Sequence, residues 1–232
     1  MGRFHDRSYP GEEGAYREAR DALLGAEIEL RRRIEDVAAM RRALPLGGAL
    51  KDDYVFTEGG DDLAGTVTDK KTRLSQLFEG GMDELVVYSF MYAPGGQACA
   101  GCTAFLDSLN GSALHIAQRV NLAVVAKAPI ATIREWARGR GWRDLRMLSS
   151  GGSTYNADYF AETPDGDQIP ALNVFRRSAG GIFHAWGAEM LYAPVDDGQH
   201  NRHIDIMWPL WNVLDLTAAG RGEDWFPATV YE

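Results

Sequence analysis

The run Leu85-Val86-Val87-Tyr88-Ser89-Phe90-Met91, continued by Tyr92-Ala93-Pro94-Gly95-Gly96-Gln97-Ala98 and then Cys99-Ala100-Gly101-Cys102, decides the fold of this chain. Its first seven residues are mostly apolar strand formers without strict alternation, the pattern of a central strand covered on both faces. After the cysteines, Phe105, Leu106 and Leu109 recur at helical spacing, and helical sequence continues to about Arg119. A Cys-x-x-Cys that follows a buried strand and opens a helix places its first sulfur at the helix N-terminus. Unsatisfied backbone N–H groups and the helix dipole favour thiolate there. Cys99 is therefore the expected nucleophile. Cys102, one turn on, is the expected resolving thiol, able to attack a mixed disulfide formed at Cys99. The small Ala100 and Gly101 would let a partner backbone or a bulky sulfur substrate approach.

Outward from this core, Val120 to Ala126 reads as the next strand and Ile130 to Gly139 as a helix entered through Pro129. Leu145 to Ser149 is a further short strand. Strand and helix alternate, which by the right-handed crossover rule builds a parallel sheet covered by helices. Ala171 to Arg176 and Gly181 to Trp186 add two antiparallel strands turned by Ser178-Ala179-Gly180, making the central sheet mixed. Upstream, Asp53 to Thr57 and Gly65 to Thr68 read as a hairpin joined through Glu58-Gly59-Gly60-Asp61-Asp62. Gly151-Gly152-Ser153-Thr154 reads as a connection, because it lacks a P-loop lysine and no clear helix follows.

From Tyr16 to Arg42 the sequence predicts a long amphipathic helix, with Tyr16, Leu23, Leu30 and Val37 at steps of seven and Ile34 in the same stripe. Pro45 and Gly47-Gly48 stop it. The stripe must cover either the chain's own core or a second subunit, so a homo-oligomer through this helix is one expectation. The chain after Gly187 is rich in aromatics, including Tyr192, Trp208, Trp211, Trp225 and Phe226, with a helix expected near His203 to Val213. The expected organisation is an N-terminal helical extension (1–48), an α/β core (49–187) and a C-terminal extension packed on that core (188–232).

The net charge of -9 disfavours nucleic acid as a partner, since phosphate neutralisation calls for a basic face. Met1 to Gly14 is polar and lacks the apolar stretch of a secretory signal, so the expected location is the cytoplasm. Apolar runs such as Leu122 to Ala126 fall far short of the roughly 20 residues that span a bilayer, so no membrane is expected. Two cysteines at close spacing do not form a structural disulfide framework.

Two other readings of the pair compete with redox chemistry. A Cys-x-x-Cys can be half of a zinc site, with His115, His184, His200 or His203 completing it, although there is no second such pair and the context is strand-to-helix. The cysteines can also be packing or redox-sensing elements of a non-enzymatic binding protein. No metal and no cofactor are expected. Arg176 and Arg177 could hold an anion, but alternate residues of a strand point to opposite faces, so at most one faces any site. His184 is more simply a satisfied core or surface histidine than a base.

Several segments carry a family resemblance. They are Met40-Arg41-Arg42-Ala43-Leu44-Pro45 at the end of the long helix, Lys51-Asp52-Asp53-Tyr54-Val55-Phe56, and Ser75-Gln76-Leu77-Phe78. The strand and cysteine motif follow, then Val174-Phe175-Arg176-Arg177 before Gly181-Ile182-Phe183-His184, and Leu214-Asp215-Leu216-Thr217 before Gly220-Arg221. In order and content the chain resembles, over most of its length, a bacterial thioredoxin-like family catalogued as domain of unknown function number 899. The resemblance implies a thioredoxin-like three-layer core and a thiol-disulfide role. An external thiol reductant and a disulfide or peroxide substrate would be its partners. Thioredoxins typically carry tryptophan immediately before the first cysteine, where this chain has Ala98. Peroxiredoxins carry threonine three residues before theirs, where this chain has Gly96. The loop Ala93 to Ala98 looks more like a peroxiredoxin's. On such a scaffold Ile169-Pro170, just before a strand, stands where a cis-proline loop faces the reactive sulfur; the alternative is a trans proline at an ordinary strand start. Ile169, Pro170, Gly96 and Gln97 are the candidate substrate contacts.

Overall fold

The computed structural model describes residues 4–60, 63, 69–194, 197, 205–222 and 225–231. Met1–Pro45 and Leu46–Glu232 are two separate compact units. The first is built on α1 (Gly14–Ala43), whose sequence is rich in Ala, Leu, Glu and Arg and ends in Arg41 and Arg42, a charge suited to the helix C-terminus. Leu44 leaves helical geometry immediately before Pro45, as the residue before a proline is pressed to do. α1 contains no buried residue, so its apolar stripe is not consumed within this unit.

The second unit is organised on one mixed sheet. Its strands are β1 (Val55–Glu58), β2 (Lys70–Arg73), β3 (Glu84–Ser89), β4 (Asn121–Ala126), β5 (Met147–Ser149), β6 (Ala171–Ser178) and β7 (Gly181–Gly187), in the spatial order β2-β1-β5-β4-β3-β6-β7. The strand that the sequence marks as central lies between β4, its parallel neighbour, and β6, its antiparallel one. Its apolar run is explained by two covered faces. Tyr88, with Phe90 beyond the strand end, faces α2 (Ala100–Ile116) and α3 (Ile130–Arg140), joining Phe105, Leu106, Leu109, Ile133 and Trp142 in one core. Leu85 and Val87 face the other way, into a second core with Phe56, Leu74, Leu77, Tyr155 and Phe175. A 3-10 turn (Leu74–Leu77) and the short α4 (Tyr155–Asp158) supply that second layer. The crossovers β3-α2-β4 and β4-α3-β5, followed by the antiparallel pair β6 and β7, make the thioredoxin-like three-layer core expected from the sequence.

Three details differ from the sequence reading. β1 pairs with Lys70–Arg73, while Gly65 to Thr68 lies outside the described residues. The basic run is strand-forming because Thr72 alone points inward, where its hydroxyl donates to Glu58 at 2.7 Å, leaving the cations on an edge strand. The glycine-rich connection at 151–154 does lead into a helix, α4, although only four residues long. Beyond β7, helical structure near the expected position is a 3-10 turn (Asp205–Met207) and α5 (Pro209–Leu214); residues 203 and 204 lie outside the described set. Pro209 opens α5 at a position that tolerates its missing N–H.

Glu58 on β1 ties together the edge strand β2 and Arg146, the residue just before β5. Its buried carboxylate accepts from Arg146 Nε at 2.7 Å and from Thr72, and lies 3.3 Å from Lys70 Nζ. Burial disfavours its charge, but the hydrogen bonds from Arg146 and Thr72 prevail and hold it below the usual carboxylate range. The lowered value makes its contribution to stability present above the unfolded carboxylate pKa and lost as pH falls through the folded one. Glu58→Ala should lower stability at neutral pH by about 1–3 kcal/mol, because it leaves the Thr72 hydroxyl without its acceptor and the part-buried Arg146 guanidinium with Glu79 alone as carboxylate partner. The urea midpoint measures this, and its difference from wild type should shrink in acid.

Candidate functional site: the Cys99–Cys102 turn

β3 runs into the sheet's interior edge, and the chain beyond it is fixed by backbone hydrogen bonds before it reaches the cysteines. Phe90 N–H donates to Val125 O at 2.8 Å, and Ala128 N–H to Tyr92 O at 2.8 Å. A turn follows in which Gly95 has φ +70°, a conformation few other residues accept, and Gly96 N–H donates to Ala93 O at 3.1 Å. Gly96 and Gln97 are exposed on this turn. Cys99 N–H then returns to Met91 O at 3.1 Å, so the residue that caps α2 is pinned to the strand that delivers it.

Cys99 is the N-cap of α2. Its sulfur accepts the Cys102 backbone N–H at 3.3 Å, the role an oxygen side chain plays at most helix starts. Both thiols are free; Cys99 is half-buried and Cys102 buried. The Cys102 thiol hydrogen-bonds to the Cys99 sulfur, and with the N–H groups of Cys102 and Gly101 it outweighs burial, drawing the Cys99 pKa down to about 6. The same hydrogen bond, burial, and the charge on Cys99 push Cys102 well above the usual thiol range. The pair is thus divided into an accessible thiolate and a protonated, enclosed thiol.

Two features around the pair were not singled out in the sequence. Tyr88, 1 % exposed, lies beneath α2 with its hydroxyl hydrogen-bonded to Cys102 and its ring centroid 4.8 Å from that of Phe105. The period-2 alternation of β3, which puts Tyr88 on the face of α2, is the signal that could have found it. On the outer side stands a ladder of C-terminal rings: Phe105 against Trp208, Trp208 against Trp211, and Trp211 against both Trp225 and Phe226. Its last ring lies on Gly101, where a β-carbon would come within 2.8 Å of Phe226 Cζ. The ground left by Gly101's missing side chain is occupied, contrary to the expectation that it admits a bulky partner.

The remaining candidates are distributed around the sheet. Pro170 precedes Ala171, which pairs with Ser89, so Ile169 and Pro170 lie at the sheet end from which the cysteine loop departs. Their peptide bond is trans. Arg176 pairs with Glu84 at the opposite end of β3. Arg177 is engaged with Asp83 and lies over the Phe78 ring. Neither arginine joins the cysteines. His184 faces the second core, stacked on Tyr159, with its Nε2 2.9 Å from Asn173 Oδ1, and lines a cavity of about 320 Å³ there. Burial lowers its pKa and keeps the ring neutral at pH 7. His115 lies in the last turn of α2, the end remote from Cys99. Neither histidine can share a metal ion with the pair, and His200 and His203 are outside the described residues. Among the described residues no helix is long and apolar enough to cross a membrane.

Comparison with curated proteins found no match. Among solved structures, reduced Prx3 of Vibrio vulnificus in complex with hydrogen peroxide is similar at TM-score 0.46 and 13% identity, covering 68% of this chain and 91% of that one. Thioredoxin peroxidase I of Plasmodium yoelii gives 0.45 and 13%, covering 81% and 99%. AhpC of Enterococcus faecalis gives 0.46 and 11%, covering 78% and 98%. These likenesses are too distant to assign an activity. The profile of the bacterial protein family of unknown function DUF899 matches residues 7–231, nearly the whole chain, and the chain belongs to that family.

Proposed function

We propose that the protein is a thiol-disulfide oxidoreductase in which Cys99 attacks and Cys102 resolves. The observation that carries this reading is the division of the pair: an accessible Cys99 sulfur capping α2 and accepting the Cys102 N–H, with a buried, protonated Cys102 against it. In the first step the Cys99 thiolate attacks one sulfur of a disulfide R–S–S–R′. The Cys99–S–S–R bond forms, the substrate bond breaks, and R′S⁻ leaves and takes a proton from solvent. Cys102 then gives its proton to solvent and attacks the Cys99 sulfur, expelling RS⁻ and closing the Cys99–Cys102 disulfide. RS⁻ likewise takes a proton from solvent, so the substrate gains two electrons from the pair and two protons from solvent, and an external thiol reductant returns the two electrons while Cys102 regains its one proton from solvent. In the cytoplasm expected from the sequence the resting state is the dithiol. The turn at Gly96 and Gln97 and the backbone at Ile169 and Pro170 border the approach to Cys99 in this reading.

The test is the alkylation rate of Cys99 against pH. Only thiolate reacts, so the rate should rise through a midpoint near pH 6 and fall away in more acid solution. At pH 7 about nine-tenths of Cys99 is then thiolate, against roughly 3% for a thiol of pKa ~8.5. Mild oxidation should close a disulfide within one chain, reversible by dithiol. A midpoint at the free-thiol value, or no internal disulfide, overturns the proposal.

A further inference from the structure

We infer that Phe226 is the specificity-determining residue of the Cys99 site and confines its substrates to low-molecular-weight disulfides. This rests on the oxidoreductase reading above and names its substrate class. The reasoning begins at Gly101, buried although it has no side chain, because Phe226 Cζ and Cε1 and the Trp208 ring lie over it. Gly101 lies two residues from Cys99 in the first turn of α2, so a ring seated on it stands at the helix end that carries the nucleophile. A chain of ring contacts links Phe226 to the core. Phe226 is braced by Trp211 at 6.1 Å, Trp211 by Trp208 at 5.4 Å, and Trp208, 7 % exposed, by the core ring of Phe105 at 6.0 Å.

Attack on a disulfide requires the incoming sulfur in line with the bond that breaks. When that disulfide sits in a folded protein, the backbone on either side of it must lie across the residues flanking Cys99. Part of that ground, at Gly101, is taken by the Phe226 ring, which is itself 61 % exposed. A small disulfide brings no flanking backbone and needs only to reach Cys99, a residue that is half-buried. Displacing the ring would cost its contacts with Gly101 and Trp211, a penalty levied on large substrates alone.

The experiment compares two activated disulfides with the same thiopyridyl leaving group, one on a small alkyl thiol and one on a cysteine of a folded carrier protein. Single-encounter rates with the reduced enzyme are read from thiopyridone absorbance, so no turnover is required. Each rate is divided by that of a free thiol of matched pKa. Wild type should favour the small reagent, and Phe226→Ala should cut that preference at least about tenfold by accelerating the carrier reaction alone. Phe226→Tyr should retain it. Trp225→Ala removes a ring of the ladder that is not among those against Gly101, and should also retain it. An unchanged preference in Phe226→Ala overturns the inference, as does an equal change in Trp225→Ala, which would assign the effect to a loosened C-terminal segment. If Cys99 reacts no faster than the free thiol with the small reagent, the oxidoreductase reading fails instead, independently of the size preference.

Discussion

Cys99→Ser should lower dithiol-driven reduction of a small disulfide by at least about a thousand-fold, to the rate of the reductant alone. A serine hydroxyl at the α2 N-cap still accepts the Cys102 N–H, so the fold is kept while the nucleophile is lost. Cys102→Ser should behave differently. The first step needs only the Cys99 thiolate, so one equivalent of substrate should be consumed and retained as a mixed disulfide visible as an added mass on the intact chain. The serine hydroxyl still has a proton to donate toward Cys99, so the alkylation midpoint of that variant should stay below the free-thiol value, whereas Cys102→Ala, which leaves no such donor, should raise the midpoint above that of wild type. The two serine variants therefore separate attack from resolution. Turnover in Cys99→Ser within about tenfold of wild type would remove Cys99 from the chemistry.

Phe105→Ala should have the largest effect on stability, about 3–5 kcal/mol. Phe105 is fully buried at the junction of the Tyr88 ring below it and the Trp208 ring outside it. Removing it leaves a cavity that the helix and strand cannot both close, and withdraws the inner support of the aromatic ladder. For a unit of this size such a loss lowers the melting temperature by roughly 10 °C. Thermal unfolding followed by circular dichroism measures it. The same variant should lose discrimination against carrier-borne disulfides, since Phe226 is held in place through Trp211 and Trp208. A melting temperature within about 2 °C of wild type would show that the junction carries little packing energy.

Elements with a strong local signal were legible in the sequence. The mostly apolar run at 85–91 needs two covered faces, and helical spacing after Cys102 needs an apolar surface beneath it. Together they fix a central strand feeding a helix, and the place of Cys99 at the helix start follows from the order of the chain. α4 was not legible, because four residues carry too little periodicity to announce a helix. β2 was misplaced because its charges mask a strand whose single inward residue, Thr72, is polar and satisfied only by Glu58, fourteen positions earlier. Pairings of that kind are made by chain folding and leave no local pattern.

The sequence by itself determined the mixed α/β core, the long first helix and the place of the Cys99–Cys102 pair at a helix start, since each is announced by residues close together in the chain. Tertiary structure alone decided what surrounds that pair. It set Tyr88 beneath Cys102, sent His184 and the arginine pair away from the sulfurs, and laid Phe226 on Gly101 from 125 positions further along the chain. Small residues at 100 and 101 read as open ground in one dimension. In three dimensions a distant aromatic ring fills it, because apolar surface left by a missing side chain is buried by whatever part of the chain can reach it.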